Sequence, residues 1–219
     1  MDIAVGVINW RRPENVVKIV AALQAQDAPC RPLVVTNPSS YPLPPVDCPT
    51  VSVADLGPYS RYLPEYDGDY VLLLDDDLLP PANLVHSFVA AAREHPDDIL
   101  SLYGRRLHRG RYNYSGIGRT AEFQKVDMPV MLYWMPVAAV AEVRAGYAKW
   151  IAKGHPPVLL DDDILLPWAT QRKCFVIPKG VNCLPLPQPH ACAKRTPNRL
   201  QHRTKAWQEC REMFDKKPP

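Results

Sequence analysis

The chain has 219 residues, which fits one domain, or one domain with a tail. Its apolar fraction of 47% can build a substantial core, and a net charge of +3 does not by itself point to nucleic acid. No run of about 18 apolar residues is present to span a membrane, and the opening residues lack the basic and then apolar layout of a signal peptide.

Ile3 to Asn9 reads as a first strand, and Pro13 opens a helix on which Val16, Val20 and Leu23 recur at helical spacing. Pro32 to Thr36 is a second strand, ended by the turn signal Asn37-Pro38. Residues 38–49 are a proline-rich loop, and Thr50 to Val53 a short third strand. Val71 to Leu74 form a fully apolar strand of the kind buried in a parallel sheet. Pro80, Pro81 and Asn83 open a helix, with Leu84, Val85, Phe88, Val89 and Ala92 on its apolar face. This order predicts an α/β fold with a mostly parallel sheet. Ile99 to Tyr103 is a further strand, and Gly104 to Gly118 a basic, aromatic loop or hairpin. Val130 to Val143 holds extended segments broken by Pro136, with a helix from Gly146 to Ala152. Thr204 to Phe214 is a last short helix, in a region where residues 190–219 carry eight Lys or Arg against three Asp or Glu.

Six cysteines are scattered without a C-x-x-C pair, so free thiols in a reducing cytoplasm are expected. Cys183, His190, Cys192 and His202 match no common zinc spacing.

Two acidic triplets carry the chemistry. Asp75, Asp76 and Asp77 follow the apolar strand directly, at the end of a strand where open α/β sheets bind ligands. Three adjacent carboxylates repel one another unless a cation neutralises them. Hard oxygen ligands suit Mg²⁺ or Mn²⁺, ions that usually also hold substrate phosphates. A solvated turn or a helix cap is the alternative. The second triplet, Asp161, Asp162 and Asp163, lies about 85 residues later and opens a helix, where the dipole alone would favour acids.

In this order the motifs resemble a GT-A type nucleotide-sugar glycosyltransferase, and within that class the exostosin C-terminal glycosyltransferase domain. Ser60-Arg61-Tyr62 resembles that family's Asn-Arg-Phe element before the acidic strand, and Leu102 to Arg106 its glycine-and-arginine segment. Asp162-Asp163-Ile164 resembles its Glu-Asp-Ile element, with Asp162 in place of the glutamate. The similarity spans about residues 1–178. It implies a Rossmann-like GT-A domain over 1–178 and a basic extension over 179–219 that packs on or over the active site. The family's animal members are membrane-anchored and disulfide-bonded. This chain shows neither feature, so a cytoplasmic bacterial or viral relative is expected, without a membrane span.

The resemblance implies a Mn²⁺ or Mg²⁺ cofactor and a nucleotide diphosphate sugar donor, a UDP-sugar first. Asp77 is the best metal ligand, Asp75 faces the ribose or a metal-bound water, and Asp76 does either. His190 is a candidate third ligand. Asn9, Arg11, Arg12, Asn37 and Arg61 are candidate donor contacts, although Arg11 and Arg12 also suit a solvated helix start. Asp163, with Asp162 second, takes the acceptor's proton as general base or orients the acceptor. A carbohydrate or small hydroxyl compound is the preferred acceptor. The basic, aromatic segments keep a hydroxylated DNA base as a second one. A two-metal phosphoesterase and a non-catalytic nucleotide-sugar or nucleic-acid-binding module are the other classes considered.

Overall fold

The computed structural model describes residues 1–107, 114–117, 120–157, 162–188 and 198–214. Its main sheet has eight strands, built on β1 (Ile3–Ile8) and β4 (Tyr70–Leu74), which pair in parallel. On the far side of β1, β2 (Arg31–Thr36) and β3 (Thr50–Ser52) continue the parallel half. On the far side of β4, β11 (Tyr133–Pro136) runs antiparallel and is followed by β6 (Ile99–Ser101), β12 (Cys174–Val176) and β9 (Gln124–Val126). The fold is α/β with a mostly parallel sheet between helices, as expected from the apolar runs.

Side-chain alternation divides the core into two layers. Ile3, Val5 and Val7 of β1 join Leu72, Leu74 and Trp134 on one face. That face is covered by α1 (Pro13–Gln24) and α2 (Leu84–Glu94). Ala4, Val71, Leu73, Tyr133 and Met135 point the other way. They pack against α3 (Val137–Ala152), α4 (Asp162–Thr170) and α5 (Arg199–Met213). A strand buried on both faces cannot alternate polar and apolar residues, and so β1 and β4 read as continuous apolar runs.

Smaller strands extend this frame. β5 (Leu78–Leu79) pairs with β13 (Leu184–Pro185), which draws the segment after the sheet back beside the first acidic motif. β7 (Tyr103–Leu107) pairs with β8 (Tyr114–Ile117) and with β10 (Met128–Val130), so the ends of the expected loop or hairpin form a hairpin.

Two expectations are corrected. Val130 to Val143 is not extended throughout: α3 begins at Val137, nine residues before the expected start. Pro136 ends β11 and caps the helix, since its fixed φ and missing N–H are tolerated there. Ala139, Val140, Val143, Gly146 and Trp150 are buried at three- and four-residue intervals, a helical period hidden in an alanine-valine run. The last helix also begins earlier, at Arg199. Among the described residues no helix is long and apolar enough to cross a membrane.

Candidate functional site

The site lies beyond the carboxyl ends of β1 and β4, where parallel pairing sets the turn after Ile8 beside the turn after Leu74. Asp76 is buried, and its carboxylate accepts from the Trp10 backbone N–H at 3.2 Å and pairs with Arg12 Nη2 at 2.8 Å. The other Arg12 arm, Nη1, reaches Asp77 Oδ2 at 2.9 Å. Asn15 of α1 donates to the Asp76 and Pro187 carbonyls, both at 2.9 Å, and the Leu186 N–H donates to the Asp77 carbonyl. Arg12 and Asn15 therefore hold the shape of the first acidic turn. Asp75, the most open of the three at 26% side-chain exposure, accepts from Arg61 Nη2 at 2.6 Å.

Arg61 belongs to a 3-10 turn, Tyr59–Tyr62, whose four residues are buried. Gly6 of β1 makes room beside it, because a Cβ there would stand 2.4 Å from the Tyr66 hydroxyl oxygen. That hydroxyl donates to the Arg61 carbonyl at 2.7 Å. Arg61 Nε donates to the Pro58 carbonyl at 3.0 Å and lies 3.6 Å from Asp162 Oδ2. One guanidinium thus stands between the two acidic motifs. Asp163, at the start of α4, accepts from Arg203 Nη2 at 2.6 Å, and both residues are buried.

Burial pushes the Asp75 and Asp76 carboxyls up, Asp76 to about 6, against the opposing pull of Arg61 and Arg12. Burial works against the Arg61 charge as well, but Asp75 and Asp162 outweigh it and hold the guanidinium protonated. Burial and then the charge of Asp162 raise the Tyr62 and Tyr133 hydroxyls well above their ordinary range.

The remaining candidates ring the end of β1. Asn9 is fully buried; its Nδ2 donates to the Tyr41 carbonyl at 3.0 Å, and its Oδ1 has no partner. The Arg11 guanidinium lies 4.5 Å from the Trp10 ring and 5.9 Å from the Tyr41 ring. The Asn37 side chain accepts from the Ser39 N–H and the Ser40 hydroxyl, which fixes the loop after β2. His190 and Asp161 lie outside the described residues.

Sequence reasoning missed Arg203. It sits in a basic stretch read as a tail, and only its four-residue spacing from Trp207 on a helix signals an inward face. Tyr133 was missed as well, because an apolar strand gives no sign that one ring will lie 5.5 Å from a guanidinium.

A cation has a chemical fit here. Asp77 Oδ1 is a buried carboxylate oxygen without a hydrogen-bond partner, and Asp75 is partly open beside it. Among the described residues no group of three or more His, Cys, Asp or Glu could hold a metal ion. Mg²⁺ and similar ions, however, commonly take only one or two carboxylates and complete their shell with phosphates and water.

No protein-family model matches the chain, and no curated protein matches it. Solved structures do. S. aureus TarS residues 1–349 in complex with UDP-GlcNAc superposes with a TM-score of 0.60 at 13% identity, over 90% of this chain and 61% of that one. The same TarS fragment in complex with UDP gives 0.56 at 14% identity, over 84% and 60%. The longer TarS structure gives 0.55 at 13% identity, over 86% of this chain and 37% of that one. The chain therefore spans about three fifths of the TarS fragment, and the likeness is one of fold, a mostly parallel sheet flanked by helices.

Proposed function

We propose that the chain is a GT-A type glycosyltransferase that binds a nucleotide diphosphate sugar, a UDP-sugar first, and moves the sugar to a hydroxyl acceptor. The observation that carries this reading is the meeting of two acidic motifs around Arg61 at the carboxyl ends of β1 and β4. The fold match to TarS, one of whose structures holds UDP-GlcNAc, supports the donor class. The narrower exostosin resemblance has the motif order alone behind it.

In this reading Asp77 Oδ1 and Asp75 hold one Mn²⁺ or Mg²⁺ ion, which when bound neutralises the charge gathering on the departing diphosphate. Arg12 keeps Asp76 and Asp77 in place rather than touching the donor. Asn9, fully buried with its Nδ2 on the Tyr41 carbonyl, serves by fixing the loop beside the donor. The Arg11, Trp10 and Tyr41 cluster offers the donor's base or its ribose a flat ledge. Asn37 serves by shaping the loop. Asp163, with Asp162 beside it, receives the acceptor proton or orients the acceptor, and Arg203 fixes its direction.

A thermal-shift screen of UDP, UDP-GlcNAc and other nucleotide sugars, with and without Mn²⁺, tests the reading. A rise in Tm that needs both Mn²⁺ and a nucleotide diphosphate is the expected result. A shift without any later turnover would mark a binding module. No shift with any donor would turn the search to phosphoesters and to DNA.

A further inference from the structure

Arg12 and Arg203 each hold their carboxylates at hydrogen-bond distance. Arg61 does not hold all of its own. Nη2 is on Asp75 at 2.6 Å and Nε on the Pro58 carbonyl at 3.0 Å. Asp162 Oδ2, at 3.6 Å from Nε, lies just beyond a hydrogen bond. Arg61 Nη1 is buried and has no partner. Buried N–H groups are rarely left that way, so this guanidinium has capacity for one more acceptor. Its backbone is fixed by Tyr66 and its planar head lies over Tyr133, which leaves pivoting of the head as the available motion.

We propose that Arg61 is a mobile internal counter-ion of the cation site, beside the fixed Arg12: it holds Asp75 when no cation is bound, and turns to Asp162 when a divalent cation takes Asp75. The inference rests on the cation reading of the preceding section. A cation on Asp75 both repels the guanidinium and weakens its hold on that carboxylate. A pivot of about 1 Å brings the head into hydrogen-bond range of Asp162. Asp162 neighbours Asp163 on α4, so occupancy of the first acidic motif is passed to the second. Loading of the donor side would thereby set the acceptor side, with no movement of the sheet.

The test is Mn²⁺ binding, read as free Mn²⁺ by electron paramagnetic resonance on the whole chain, with and without UDP. Arg61→Met should bind Mn²⁺ alone about tenfold more tightly than wild type, because the guanidinium that competes for Asp75 is gone. Arg61→Lys, which keeps the charge, should stay near wild type. Asp162→Asn should weaken Mn²⁺ binding several-fold, since the displaced guanidinium loses its second carboxylate. Circular dichroism melts check each fold; if Arg61→Met does not fold, Asp162→Asn against wild type decides. Unchanged Mn²⁺ affinity in Arg61→Met and Asp162→Asn, with loss in Asp77→Asn, would overturn the counter-ion role and leave the cation site standing. No Mn²⁺ binding by any of these proteins, with or without UDP, would overturn both.

Discussion

Asp76 is a buried carboxyl whose ionisation burial opposes. Its carboxyl is pushed up from 3.8 to about 6, by burial first and against the pull of Arg12. The folded state therefore holds a proton on Asp76 that the unfolded chain has already released. Between those two values stability falls as pH rises. Removing the titrating group should remove its share of that slope. Tm measured from pH 4 to pH 7 should show wild type losing ground to Asp76→Asn as pH rises through about 6, and parallel curves would refute the assignment. Asp163 lends itself to a functional test. Asp163→Asn should leave the Mn²⁺-dependent UDP shift intact and lower sugar transfer by about 10²-fold or more, the usual scale of a lost general base. Equal loss of donor binding would move Asp163 to the donor side.

At the scale of elements, two packing contacts hold the second acidic motif in register. Gly146 of α3 is the first: a Cβ there would stand 2.4 Å from the Ala169 Cβ of α4. Backbone cannot yield cheaply, so Gly146→Ala should push α4 outward and carry Asp162 and Asp163 with it. The expected loss is about 1–3 kcal/mol of stability by chemical denaturation, together with weaker transfer. The second contact is the Arg203–Asp163 ion pair between α5 and α4. Truncating one partner of a buried pair strands the other charge. Arg203→Met should therefore cost about 3–5 kcal/mol, and Arg203→Met with Asp163→Leu should recover part of it. A cost below about 1 kcal/mol would mean that the pair is solvated in practice.

At the scale of the whole molecule, the sheet with its two helical layers is a rigid frame, and the site hangs on the turns beyond its strand ends. Ligand binding to such a frame stabilises the folded state by mass action. UDP with Mn²⁺ at about 100 times the dissociation constant should add about 2.7 kcal/mol. For a chain of this length that is a rise in Tm of roughly 5–10 °C, readable by differential scanning fluorimetry. Mn²⁺ alone should give less, because Arg61 and Arg12 already neutralise much of the triplet.

The elements buried on both sides are legible in the order of their residues alone. Ile3–Ile8 and Tyr70–Leu74 are apolar without interruption because each is covered above and below, and the turn after the second must carry the polar residues. Pro13 and the acids at the start of α4 marked helix starts through backbone chemistry that needs no tertiary context. The start of α3 was hidden, since alanine and valine fit either period and only the layer beneath selects the helix. What neutralises the aspartates was hidden as well. Arg12 meets Asp76 across 64 residues, Arg61 meets Asp162 across 101, and Arg203 meets Asp163 across 40, by the numbering of each pair. Charge pairing between distant segments leaves no periodicity in a sequence. It is decided by which strand ends and helix starts the fold brings side by side.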